Sequence, residues 1–228
     1  MISVVIPTLN AEARLGECLA SLVPAAVLGI IREVIVVDGG SSDRSPQIAE
    51  AAGARILTSD PGRGRQLAVG AKAARSDWML FLHADTVVEP SWIDETDNFL
   101  KDDQRFGVFT LRFDSAQMKA KLVAAGAMVR TRLFSMPYGD QALLISRSLY
   151  DAVGGYGPQG LFEDVDIIER LVRHKGPKAL HVFKTCVVTS AEKYEQNGYA
   201  RQVIDNLWRL VRYKTGMSPA LLEREYSS

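Results

Sequence analysis

Four nearly continuous apolar runs mark the first hundred residues: Ile2–Ile6, Val34–Val37, Ala54–Leu57 and Trp78–Leu82. Short β-branched runs without alternation predict strands buried on both faces, as in a parallel sheet covered by helices. Helical spacing between them predicts helices near 11–23, 44–52, 64–74 and 91–100. Ser42 or Asp43 is placed to cap the second, and Pro90–Ser91 to open the fourth. This β-α-β-α order implies right-handed crossovers and a doubly wound α/β sheet.

The second half is less regular. Gly107–Phe113, Ala142–Ser146 and Ala179–Thr189 read as extended, and 116–134, Phe162–Arg173 and Gly198–Tyr213 as helical. A parallel half followed by a mixed half suggests one compact domain over 1–228. Residues 1–105 would form its nucleotide-binding half, and 106–228 its acceptor-binding half with a C-terminal helix.

Composition narrows the class. The 228 residues are 47% hydrophobic and 24% charged, with 27 basic and 27 acidic side chains. That hydrophobic content argues against disorder. Zero net charge argues against a nucleic-acid partner held by a bulk basic field. No apolar run reaches the roughly 18–20 residues that cross a bilayer. The stretch from Met1 to Pro7 lacks a basic n-region and a cleavage site, so it reads as a strand. Cys18 and Cys186 show no metal spacing and are expected to be small core residues in a reduced, cytoplasmic compartment.

Ligands of open α/β sheets bind beyond the carboxyl ends of the strands. After the four strands stand Pro7-Thr8-Leu9-Asn10-Ala11-Glu12, Asp38-Gly39-Gly40-Ser41-Ser42-Asp43, Asp60-Pro61-Gly62-Arg63-Gly64-Arg65-Gln66, and His83-Ala84-Asp85. A carboxylate left at a buried strand end needs a donor or a metal as partner. There is no GxGxxG after the first strand and no GxxxxGK[ST], which argues against a dinucleotide fold and a P-loop.

These segments, together with Glu163-Asp164, resemble the family 2 glycosyltransferases of GT-A fold. The chain is most similar to a bacterial subgroup termed radical-SAM/selenodomain-associated transferase 2. That likeness rests on Pro61–Gln66, Leu82–Thr86, Pro137-Tyr138-Gly139-Asp140-Gln141 and Val188–Ala191, and it extends over about residues 2 to 215.

The resemblance implies a role for each site. Asp38 would read the base, because a carboxylate accepts the ring N–H of uracil or guanine. Glu12 would accept from ribose hydroxyls, or else serve as a first-turn acid of its helix. Pro7, Asn10, Gln66 and Ala84 would complete the nucleotide-sugar site, with Arg63 and Arg65 placed for diphosphate. Asp85 would bind a divalent cation, Mn²⁺ or Mg²⁺. His83 replaces the first acid of the family's Asp-x-Asp and is either a nitrogen ligand, which suits Mn²⁺, or a strand-end filler. Asp164, with Glu163 beside it, would be the general base of a one-step inverting transfer. Asp140 and Gln141 would line the acceptor side. His181 and Thr189-Ser190 fall where some GT-A enzymes place a further metal ligand.

The implied donor is a UDP- or GDP-sugar, and the acceptor an unidentified hydroxyl compound. Two rival readings are a sugar nucleotidyltransferase of similar architecture and a non-catalytic nucleotide-sugar-binding module. The first is disfavoured by the missing glycine-rich loop after strand one, the second by Asp164. From Ser115 to Gly139 there are four basic residues and no acid. Met118, Leu122, Ala125, Val129 and Leu133 follow helical spacing there. A helix packed on the sheet explains this pattern, as does one lying on an anionic membrane with a lipid-linked acceptor. The last helix has the same two readings, with a homodimer interface as a third.

Overall fold

The structure, a computed structural model, describes residues 1–219 and 221–222. Its centre is one eight-stranded sheet. Strands β1 (Ile2–Thr8), β2 (Ile31–Asp38), β3 (Arg55–Thr58) and β4 (Trp78–Phe81) run parallel in the order β3-β2-β1-β4. All of β1 and β4 is buried, as their unbroken apolar runs predict.

Beyond β4 the sheet is mixed. β5 (Thr86–Val88), β6 (Phe106–Phe113), β7 (Leu143–Ser146) and β8 (Leu180–Thr189) extend it in the order β7-β6-β8-β5. β7 is antiparallel to both neighbours, so β6 and β8 point the same way as β4. This reversal places Phe81 beside Leu143 and Phe113 beside Thr189. One edge of the sheet therefore collects the ends of six strands and the loops entering β5 and β7.

Helices cover both faces: α1 (Glu12–Val27), α2 (Ser45–Ala51), α3 (Arg63–Ala73), α4 (Trp92–Phe99), α5 (Met118–Phe134), α6 (Arg147–Ala152), α7 (Glu163–Lys175), α8 (Glu192–Asn197) and α9 (Tyr199–Lys214). One core layer joins β1, α1, Trp92, Phe109 and Phe183. The other joins Val5, Leu67, Phe81, Tyr150 and Ile167. These elements appear in the expected order. Three short ones, β5, α6 and α8, carry too few residues to show a period.

One local expectation is corrected and two are sharpened. Cys18 is buried, and burial pushes its thiol up to about 12, but Cys186 is only half-buried. Pro90–Ser91 opens α4 as expected, with Ser91 at the N-cap, but its hydroxyl pairs with Thr185 Oγ1 at 3.0 Å and makes no capping bond. Asp43 serves two helices. Oδ1 accepts from Ser45 N of α2, and Oδ2 accepts from Glu12 N of α1 at 2.9 Å. Both ends carry the positive pole of a helix, which favours the anion.

Candidate active site

The edge where the strands end opens into a cleft of about 770 Å³, within the size range of small-molecule sites. One wall comes from the loops after β1, β3 and β4, and the other from Tyr138–Asp140, the start of α7, and helices α8 and α9.

The first wall is stitched together by polar side chains. Asn10 takes a left-handed backbone (φ 50), which asparagine tolerates better than most residues. Its Oδ1 accepts from Ser42 N at 2.9 Å, and its own N–H donates to Ser41 Oγ. Glu12 Oε2 accepts from Arg44 N at 2.8 Å, reciprocating the Asp43 bond. Glu12 thus braces the two loops and lies outside the cleft lining. Pro7 and Ala84 line it. Gln66 lines it too, but its amide nitrogen is committed to Thr8 O and Val37 O, both at 2.8 Å. It ties β1 to β2.

Asp38 sits just behind this wall. Oδ2 accepts from Gly40 N and Ser41 N, each at 3.0 Å, which shapes the turn. Oδ1 is buried and has no partner. A buried carboxylate oxygen left unsatisfied is costly and points to a missing donor.

The two arginines separate. Arg65 is exposed, pairs with Asp60 at 3.2 Å and lies outside the cleft lining. Arg63 lines the cleft, with its guanidinium 3.3 Å from Oε1 of buried Glu163. Gly64 allows this docking of α3. A Cβ there would stand 2.3 Å from Gly157 O and 2.4 Å from Gln159 O.

At the floor, His83, Asp140 and Asp164 arrive from three segments. Asp164 Oδ2 accepts from Gly139 N at 2.6 Å, and Oδ1 from Val165 N at 2.8 Å. Burial raises Asp140 to about 6, and Asp164 and Asp85 add to this while Arg130 opposes it. Asp140 Oδ1 is shielded from solvent and has no partner. Burial, then Arg63, lowers His83 to about 4, so its imidazole is neutral at physiological pH. Its Nε2 edge faces Gly139 and the Asp164 side. Asp85 stands exposed at the mouth.

Glu163 turns away from the cleft toward a small cavity beside Leu67, Tyr156 and Ile167. Burial raises it to about 7, with Arg63 opposing and Asp164 adding. Phe162, just before it, holds a left-handed backbone (φ 63) and stacks on Tyr213 of α9 at 4.7 Å. Such a conformation is strained in a non-glycine residue.

Two expected site residues lie elsewhere. Gln141 is fully buried, accepts from Thr131 Oγ1 at 2.7 Å and donates to Phe109 O at 3.1 Å. With its amide used inside the core, it does not face the acceptor side. His181 sits at the opposite end of β8, against Phe99 and Arg105. Thr189 and Ser190 do line the cleft. Sequence reasoning missed Arg14, Lys193 and Tyr194, along with Gln202, Asn206 and Arg209 of α9. The signal for the last three is their spacing of four and three on the polar side of the final helix.

Among the described residues, no three acidic, imidazole or thiol groups converge as a closed metal cage. Asp85 and Asp140 instead offer carboxylate oxygens, and His83 a neutral imidazole nitrogen, at separate points of the cleft lining. Such an arrangement suits an ion shared between one or two protein ligands and substrate phosphates.

Residues 3–156 match the family described as Glycosyl transferase family 2. Glucosyl-3-phosphoglycerate synthase of Mycolicibacterium paratuberculosis is 36% identical over 95 residues, covering 38% of this chain and 29% of that protein. Undecaprenyl-phosphate 4-deoxy-4-formamido-L-arabinose transferase of Pseudomonas aeruginosa is 35% identical over 102 residues, 41% of this chain and 30% of that protein. The chain thus spans less than a third of either relative's length. The Mycobacterium tuberculosis glucosyl-3-phosphoglycerate synthase, solved with Mn²⁺, uridine diphosphate and glucosyl-3-phosphoglycerate, superposes with a TM-score of 0.67 at 24% identity. That match covers 91% of this chain and 78% of the other. A structure of the same enzyme with Mg²⁺ and uridine diphosphate gives 0.65 at 22% identity, over 91% and 78% of the two chains. The sheet order, the helices on both faces and the family match agree: the chain belongs to glycosyl transferase family 2 and has the GT-A fold.

Proposed function

We propose that this protein transfers a sugar, with inversion, from a UDP- or GDP-linked donor to a hydroxyl acceptor. One observation carries the reading: the Asp164 carboxylate is fixed by two backbone N–H groups at the cleft floor, between the two walls. Each of its oxygens keeps a second lone pair for a hydroxyl proton. Asp164 takes that proton as the acceptor oxygen bonds to the anomeric carbon. The bond from that carbon to the diphosphate breaks, and the nucleoside diphosphate leaves with the electron pair. A single displacement inverts the centre.

The donor half is residues 1–105 and the acceptor half 106–228. The free oxygen of Asp38 suits a uracil or guanine ring N–H. Arg63 would bridge Glu163 and the diphosphate. Asp85, with His83 as a nitrogen donor, would hold Mn²⁺ or Mg²⁺. Such an ion supplies charge neutralisation of the leaving diphosphate, and relatives solved with Mn²⁺ or Mg²⁺ support it. Arg14, which pairs with Asp114, and Lys193 and Arg209 also line the cleft.

The direct test incubates the protein with UDP- and GDP-sugars and Mn²⁺, with water or an added alcohol as acceptor, and follows the products. Release of nucleoside diphosphate supports the proposal. Pyrophosphate formation from a nucleoside triphosphate and a sugar phosphate, without that release, overturns it in favour of nucleotidyl transfer. Binding of nucleotide without turnover of any donor also contradicts it.

A further inference from the structure

Helix α5 is apolar on two opposite faces. Ala120, Ala124, Met128 and Thr131 pack against the sheet. Met118, Leu122, Val129 and Leu133 lie on the other side, and each is more than half exposed. Their spacing of four, seven and four places them in one stripe along the helix. Between the two faces Lys121 and Arg132 stand on one flank, and Lys119 and Arg130 on the other beside Val123 and the exposed Phe134. Arg130 is drawn onto the Tyr138 ring at 3.3 Å, and the other three are exposed. Helix α9 packs against α5. It turns Gln202, Asn206 and Arg209 to the cleft and leaves Leu207 and Trp208 more than half exposed.

An exposed apolar surface on two adjoining helices marks an interaction site. Its rim decides the partner. Two copies meeting through α5 about a two-fold axis would set Lys119, Lys121 and Arg132 against the same cations. An anionic lipid surface offers the opposite charge around the stripe and an apolar layer for its centre. We propose that α5 and α9 form a membrane-docking face for anionic phospholipid, with α5 lying in the plane of the interface. The helix that lines the acceptor side of the cleft then stands at the lipid surface, which would bring a lipid-borne acceptor within reach. No helix among the described residues is long and apolar enough to cross a bilayer, so the contact is peripheral.

Tryptophan positions make this testable. Trp78 and Trp92 are buried, and Trp208 is 61% exposed. The intact protein is mixed with vesicles of phosphatidylcholine, alone or with phosphatidylglycerol, and followed by co-sedimentation and tryptophan emission. The expected result is binding to the anionic vesicles only, weakened by salt, with a blue shift that disappears in Trp208→Phe. Leu122→Asp with Leu133→Asp lowers vesicle affinity at least about tenfold. Nucleotide affinity of that variant stays at the wild-type value and shows that it is folded. Lack of co-sedimentation at low salt overturns the proposal, as does equal binding by the double variant. A blue shift that grows with protein concentration without vesicles assigns the face to a second copy and also overturns it. The readout needs no turnover, so it is independent of the proposed transferase activity.

Discussion

The backbone N–H of Gly139 donates to Asp164 Oδ2 at 2.6 Å, and Gly139 has no room for a side chain. A Cβ there would stand 2.7 Å from His83 Nε2 and 3.4 Å from Asp164 Cβ. The glycine thus lets one loop touch both the histidine and the acid. Gly139→Ala should push the loop off the carboxylate. The expected outcome is a drop in turnover of at least about tenfold, with a stability loss of about 1–3 kcal/mol by urea unfolding. Wild-type turnover in this variant would show that the contact does not position Asp164.

Glu163 supplies a pH prediction. Its carboxyl is raised from 4.5 to about 7 by burial. Burial therefore favours the neutral acid in the folded state. The stability it contributes is fully present below pH 4.5 and is lost as pH rises through about 7. Glu163→Gln should flatten the dependence of melting temperature on pH between 4.5 and about 7. Identical pH profiles for variant and wild type would contradict this.

Gln141 is predicted to act through the fold alone. Gln141→Ala breaks the bonds with Thr131 and Phe109 O inside the core. A loss of about 1–3 kcal/mol is expected, seen as a lower melting temperature with nucleotide affinity intact. Unchanged stability, or a selective loss of acceptor use, would return Gln141 to the acceptor side.

β1 and β4 were legible because each is a continuous apolar run ending in a polar loop, whereas β3, expected to be buried on both faces, is an edge strand with Arg55 and Thr58 exposed. The one strand that could not be read follows from topology. β5 has three residues and takes its place only by pairing with β8. The site was less legible than the fold. Asp38, Asp85 and Asp164 could be singled out as acids at strand or helix ends. The burial of Gln141, the outward turn of Arg65 and the inward turn of Glu163 depend on packing between segments far apart in sequence. Glu12 shows the same limit. Its place in the first turn of α1 was readable, but its bond to Arg44 N across the loops was not.

Metal dependence would be read by calorimetry. Asp85 is the exposed carboxylate at the cleft mouth, and Asp85→Ala should weaken binding of UDP or GDP in the presence of Mn²⁺. EDTA should weaken wild-type binding to the same level and have little further effect on the variant. Equal affinity with and without metal would refute the role assigned to Asp85.

Asp164 is proposed to take the acceptor proton. The most direct test of this is turnover and nucleotide affinity measured together in Asp164→Asn. The amide keeps the shape and an oxygen for a backbone N–H but cannot act as a base. Turnover should fall by roughly 10² to 10⁴ with UDP or GDP affinity unchanged. Turnover equal to wild type, with the donor still bound, would contradict it.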